Sequence, residues 1–396
     1  MAGAVAVTPS GPRPRRVVSL DLARGLGIVA MVFGHTLDAL LSPAARMDPV
    51  AMGYWKIRGL TAPRFMMVSG WAVILAVSRL PAKGLQLIRA RLPRIALLLA
   101  LGYALRLPGW NTRALLSGDP TVWQHFLAFD ALHLIAVGLL GAVLILALPW
   151  SAPRQGLAFV LLATVALALG MRTPSRPPIA LPALALAQAV GGTSPFPVFP
   201  WVAYFFFGAA VPLLAKSVRV RCAVGLAGVA VFLAASCWWR GFGDMSPAHP
   251  VLVWFRAGAV LLILTALEAV PACAAAAIAP LARSSLTVYV FHVPIVYGWF
   301  TFEGFAQRVG PRLPFHAAAL VALTILACAI ALDRMVKLVT REVAAVARIG
   351  RDALVQADSP CGSVERGQGI APSARRHLTM ATLRRGEGCA SPRRAP

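Results

Sequence analysis

The sequence predicts an all-α integral membrane protein: a polytopic bundle of about ten transmembrane helices with both termini cytoplasmic. Three observations carry that prediction. Hydrophobic residues make up 59% of the chain and charged residues 13%, with a mean hydropathy of +0.74, too apolar for a soluble globule of ordinary composition. A window of about 19 residues finds ten apolar segments. The formal charge is +24, and most of the arginines and lysines that supply it fall outside those segments, in loops and tails expected to meet anionic lipid at the cytoplasmic face.

The ten spans are expected near 17–41, 59–79, 87–106, 127–149, 156–172, 197–215, 221–239, 250–270, 284–301 and 315–337. A basic stretch precedes the first, as in a secretory signal, but Asp21 and Arg24 lie inside it and nine spans follow, so it is read as an uncleaved anchor. Pro93 and Arg94 interrupt the third, and the fifth is short. The eighth contains Arg256, expected to snorkel or to pair with a carboxylate. Trp110, Trp123, Trp201, Trp238, Trp239 and Trp299 fall at expected outer ends, as in an interfacial aromatic belt.

Orientation follows from the flanking cations. An inside N-terminus makes cytoplasmic the stretches with Arg13, Arg15 and Arg16, with Arg79, Lys83, Arg89, Arg91 and Arg94, with Lys216, Arg219 and Arg221, and with Arg334, Lys337 and Arg341. The opposite loops carry fewer. Residues 1–16 are therefore read as a basic cytoplasmic segment, 17–338 as the transmembrane domain and 339–396 as a basic, largely disordered cytoplasmic tail. In that tail REVAAVARIGRDAL extends a helix along the inner surface, and the Gly, Ser, Pro and Arg content from Ser359 onward marks disorder. The six cysteines form no CxxC pair, so neither a metal site nor a disulfide framework is expected. Nucleic acid is not an expected partner, because no stacking motif accompanies the arginines.

The chemistry concentrates in the first span. Arg24 and His35 stand eleven residues apart, which on a helix is within about 20° of three full turns and roughly 16 Å along the axis. Polar groups of this kind inside a membrane are costly and usually functional. Arg24 lies three residues after Asp21, so the two can form a local ion pair. Alternatively Arg24, with Lys83, Arg89, Arg91 and Arg94, offers forked guanidinium groups to a phosphorylated donor. His35 is either a satisfied structural residue or a proton shuttle. Two further histidines at similar depth, His133 with Asp130 three residues before it and His292 in the ninth span, favour the shuttle.

The stretches SLDLARGLGIVAMVFGH and RGLTAPRFMMVSGW resemble the transmembrane acyltransferase superfamily, and three later ones narrow the likeness. FDALHLIAVGLL, FPVFPWVAYFFFGA and LARSSLTVYVFHVPIVYG are similar to the bacterial branch related to the heparan-alpha-glucosaminide N-acetyltransferase catalytic domain. The resemblance implies a multi-pass enzyme of the inner (plasma) membrane that uses acetyl-CoA or another acyl-CoA, with no metal, to acylate a glycan or lipid-linked acceptor on the far side. It implies that Arg24 receives donor phosphate and that His35 serves as general base or as a covalent acyl carrier. Ser69, the backbone at Ser69 and Gly70, and Arg64 are the expected oxyanion donors, although small residues such as Ser69 and Gly70 also let membrane helices approach closely. The long lumenal domain and extended loop of the human-type enzymes have no counterpart here, so glucosaminide specificity is not carried over. Two other classes remain open: a proton-coupled transporter or flippase, and a non-catalytic membrane scaffold. Assembly with further copies is also open.

Overall fold

The computed structural model describes residues 18–107, 113, 116–171, 194–238, 249–299 and 302–357. The expected segment 1–16, the tail from 358, Trp110, Trp239 and the side chain of Trp238 lie outside the described residues. The chain divides into two units, Met1–Val339 and Thr340–Pro396.

Every regular element among the described residues is helical, with no strand and only two isolated bridges. In chain order the α-helices are α1 Val18–Leu40, α2 Pro43–Arg46, α3 Pro49–Arg58, α4 Thr61–Val77, α5 Gly84–Leu105, α6 Pro120–Leu127 and α7 Ala131–Ala147. They continue with α8 Ala152–Gly170, α9 Val198–Leu214, α10 Val218–Trp238, α11 Pro250–Ala266, α12 Ala272–Arg283, α13 Ser285–Tyr297, α14 Phe305–Arg308 and α15 Phe315–Ala357. Each of the ten expected spans falls on one of these helices.

Five helices are by themselves long and apolar enough to cross a membrane, and up to seven spans result if each of two bent pairs counts as one. The pairs are α6 with α7, bent by 57°, and α12 with α13, bent by 59°. Helices α4 and α9 are apolar but shorter. Helix α5 carries Arg89, Arg91 and Arg94 in its first half, so its apolar run is confined to the second.

The short helices α2 and α3 lie where the sequence reading left a loop. Both have a local cause. Ser42 and Asp48 stand at their N-caps, each accepting a backbone N–H, and each is followed by a proline at the first helical position.

Close helix crossings set the core. A Cβ placed on Gly70 of α4 would collide with the Phe205 carbonyl of α9, and one on Gly208 of α9 would collide with the backbone of Met67. The two backbones therefore touch at reciprocal glycines, which is how membrane helices gain packing energy without a solvent-driven force. Gly138 of α7 makes room for the Phe205 ring, and the buried Tyr204, Phe159 and Phe205 fill the space between. Helix α1 is buried along most of its length, against α4, α12 and α13. Arg24 and His35 on this helix are both half-buried.

Candidate active site

Arg24 and His35 of α1 each line a cavity. His35 lines one of about 440 Å³, with Met31 and Gly34 of α1, Arg58 of α3, Phe65 of α4, Trp201 of α9, Arg256 of α11 and Tyr289 of α13 in its wall. Arg24 lines a second of about 370 Å³, with Ser69 of α4, Arg91 and Arg94 of α5, Leu139 of α7, Arg283 of α12 and again Tyr289. Phe65 and Tyr289 belong to both walls, so the two chambers stand back to back along α1. One helix face thus reaches both, as the eleven-residue spacing requires.

Hydrogen bonding fixes the state of the histidines. His292 Nδ1 lies 2.8 Å from the Val288 carbonyl oxygen, which has no proton to give, so this nitrogen carries the hydrogen. In the neutral ring His292 Nε2 is then an acceptor, and it sits 3.0 Å from His35 Nδ1. His35 therefore donates from Nδ1 and keeps the lone pair of Nε2. The rings stack at 5.1 Å, and Tyr297 meets His35 edge-on at 5.6 Å. A carbonyl, two imidazoles and an open lone pair form a relay in which a base is held in one tautomer by a second ring.

Asp38, one turn beyond His35, is taken up elsewhere. Its carboxylate bridges Arg58 at 3.0 Å and Arg46 at 3.4 Å, with both guanidinium groups over the Trp55 ring.

His133 and Asp130 are not brought to this relay. Asp130 Oδ1 accepts from the backbone of Leu132 at 2.8 Å and of His133 at 3.3 Å, while the Asp130 N–H donates to His133 Nδ1 at 3.2 Å. This is a reciprocal capping box at the start of α7. The His133 ring is fully buried between Tyr103 and Phe129 and packs on Gly102, and neither residue lines either chamber.

The arginine cluster is brought together in part. Arg91 and Arg94 line the chamber of Arg24, Arg91 also donating to the Ala76 carbonyl at 2.8 Å. Arg89 is exposed and lines neither chamber. Arg24 makes no ion pair with Asp21 within 4.0 Å among the described residues. Ser69 lines the same chamber, but its single hydroxyl proton goes to the Phe65 carbonyl at 2.8 Å. It can therefore accept a hydrogen bond there and not donate one. Arg64 lies outside both chambers and donates to the Leu26 carbonyl at 3.2 Å.

Four chamber residues were not among the site residues expected from the sequence: Arg58, Arg256, Arg283 and Tyr289. Arg256 carried a usable signal, an arginine within an apolar helix, yet among the described residues no carboxylate lies within ion-pair distance of it. Arg58 and Arg283 stand at the edges of apolar segments, where cations are ordinary, and nothing in the pattern around Tyr289 singles it out.

Fold and site together describe a multi-pass membrane protein with a histidine relay in one chamber and an arginine-rich chamber behind it. Residues 16–236 match the family model described as heparan-alpha-glucosaminide N-acetyltransferase, catalytic, over more than half of the chain. The chain belongs to that family of membrane acetyltransferases. The matched region holds Arg24, His35, Ser69, Asp130 and His133, whereas His292 lies beyond it. No curated protein matches the chain.

Proposed function

We propose that this protein transfers an acetyl group from cytoplasmic acetyl-CoA to a carbohydrate or lipid-linked acceptor on the opposite face of the membrane. The observation that carries the reading is the pair of chambers along α1, one rich in arginine and one holding the unprotonated His35 Nε2, divided by Phe65 and Tyr289.

In this reading Arg24, Arg91, Arg94 and Arg283 hold the donor's phosphates, because guanidinium groups meet phosphate in a forked, charge-assisted geometry. The roughly 16 Å along α1 to His35 is on the scale of the pantetheine arm that must carry the thioester across. The acceptor hydroxyl or amine sits in the His35 chamber. His35 Nε2 takes its proton as the oxygen or nitrogen attacks the thioester carbonyl. The tetrahedral oxyanion collapses, the carbon–sulfur bond breaks, and the proton on Nε2 passes to the departing thiolate. His292 acts as a positioning residue, keeping the His35 proton on Nδ1 and the lone pair directed at the substrate. The same lone pair serves as nucleophile if the acetyl group rests on His35 between donor and acceptor.

The test uses the full chain in nanodiscs with acetyl-labelled CoA. Binding is expected to saturate and to weaken in Arg24→Ala, while His35→Ala binds donor and fails to turn it over. Failure of the parent protein to bind acetyl-CoA removes the reading and favours a proton-coupled transporter built on the same residues.

A further inference from the structure

A third cavity, of about 380 Å³, lies on the other side of α1 from the arginine chamber and joins the His35 chamber through Ala30, Arg58 and Thr61, which line both. Its wall is mainly apolar, supplied by Leu26, Val29 and Phe33 of α1, Ile57 of α3, Leu60 just before α4 and Ile263 of α11, with Tyr54, whose hydroxyl donates to the Ala30 carbonyl, and Arg64 as its other polar members. Cations stand along it. Arg58 sits at the junction, and Arg64 lines the groove with a buried Nε that has no hydrogen-bond partner. The carboxylate that neutralises Arg58, Asp38, is shared with Arg46, and none pairs with Arg64 among the described residues.

An apolar trough opening beside guanidinium groups, continuous with a chamber that contains a base, fits a ligand with the same order of parts. We propose that the acceptor is a lipid-linked saccharide phosphate. Its apolar chain occupies the groove, its phosphate meets Arg64 there, and its sugar passes Arg58 at the junction into the His35 chamber. This deepens the acetyltransferase reading and rests on it for the role of His35. A water-soluble glycan leaves the apolar wall without a partner. A neutral lipid leaves the Arg64 charge in the groove without a counter-ion, and an unpaired charge in an apolar setting is expensive. A phosphate supplies that counter-charge through charge-assisted hydrogen bonds to the guanidinium group.

The experiment compares three lipids on the purified full chain in mild detergent by native mass spectrometry: a long-chain polyprenyl phosphate, the polyprenol without phosphate, and phosphatidylglycerol. The polyprenyl phosphate is expected to bind about tenfold or more tightly than either of the others. Arg64→Gln is expected to remove most of that preference, and Arg64→Lys to restore part of it, with unchanged melting temperatures reporting that each variant folds. Equal binding of polyprenol and polyprenyl phosphate, or equal displacement by phosphatidylglycerol, overturns the proposal and marks the groove as a site for bulk lipid. Acetyl-CoA binding is measured on the same preparation. Its absence with selective polyprenyl phosphate binding removes the acetyltransferase reading alone, and the reverse result removes this inference alone.

Discussion

His35 and His292, 257 positions apart in the chain, share a 3.0 Å hydrogen bond that joins the first long helix to the thirteenth. Because His292 spends its other nitrogen on the Val288 carbonyl, this bond has one direction only, and the Nε2 lone pair of His35, a residue in the wall of the larger chamber, is not used by it.

That direction gives the first prediction. Removing the base with His35→Ala is expected to lower kcat by about 10²- to 10⁴-fold, the usual contribution of a positioned general base. His292→Ala is expected to cost less, about 10- to 100-fold in kcat with little change in the KM for donor, since the base remains and only its tautomer and aim are released. His292→Gln, whose amide oxygen still accepts from His35 Nδ1, recovers part of the loss. Steady-state kinetics of the three variants checks the order, and a rise in KM instead of a fall in kcat at position 292 contradicts it.

Donor binding is assigned to the second chamber. Arg24→Ala is expected to raise the KM for acetyl-CoA by about 10- to 100-fold with kcat nearly unchanged, the cost of losing a charge-assisted contact to phosphate. The same substitution at the exposed Arg89 is expected to change KM by less than about threefold. Titrating donor against both variants separates a phosphate site from a general basic surface.

Asp130 and His133 illustrate how a sequence pattern can be right in geometry and different in use. Their spacing brings them together, as the sequence suggested, but at a helix start and away from both chambers. Asp130→Ala is expected to destabilise the fold by about 1 kcal/mol through loss of the cap, whereas Asp130→Asn, a good cap itself, is nearly neutral. His133→Ala empties a fully buried ring site and is expected to cost about 2 kcal/mol or more. Thermal denaturation in detergent reads these effects, and per folded molecule the donor KM is expected to stay at its parent value.

Helix crossings make a paired prediction about glycines. Gly70→Ala forces α4 away from the Phe205 carbonyl and is expected to destabilise by about 1–3 kcal/mol. Gly53→Ala, in α3 with nothing within 4 Å of the new Cβ, is expected to be neutral or stabilising by up to about 1 kcal/mol. Melting temperatures of the two variants differ in sign if the crossing is as close as described.

The fold was legible because apolar runs of membrane length leave few alternatives, and all ten segments read from hydropathy are helices. The number that cross the membrane was less legible. Length and apolarity single out five helices, while the break at Asp130, where a capping box starts a new helix, and the bend at Ser284 fall inside apolar stretches that a hydropathy window averages over. In the site, Arg24 and His35 could be paired from one helix alone, because a fixed period of 3.6 residues determines which positions share a face. The link to His292 could not, since it depends on how α13 lies against α1. Arg58 was hidden for another reason: its helix begins at an Asp-Pro cap too short to register as an apolar segment.

The most direct test of the central claim is a single-turnover measurement with labelled acetyl-CoA on the parent protein and His35→Ala in nanodiscs, with extracted source-membrane lipids as acceptor. Equal donor binding by both proteins is expected, with label passing to the lipid fraction with the parent only. Label transferred by His35→Ala at the parent's rate would contradict it.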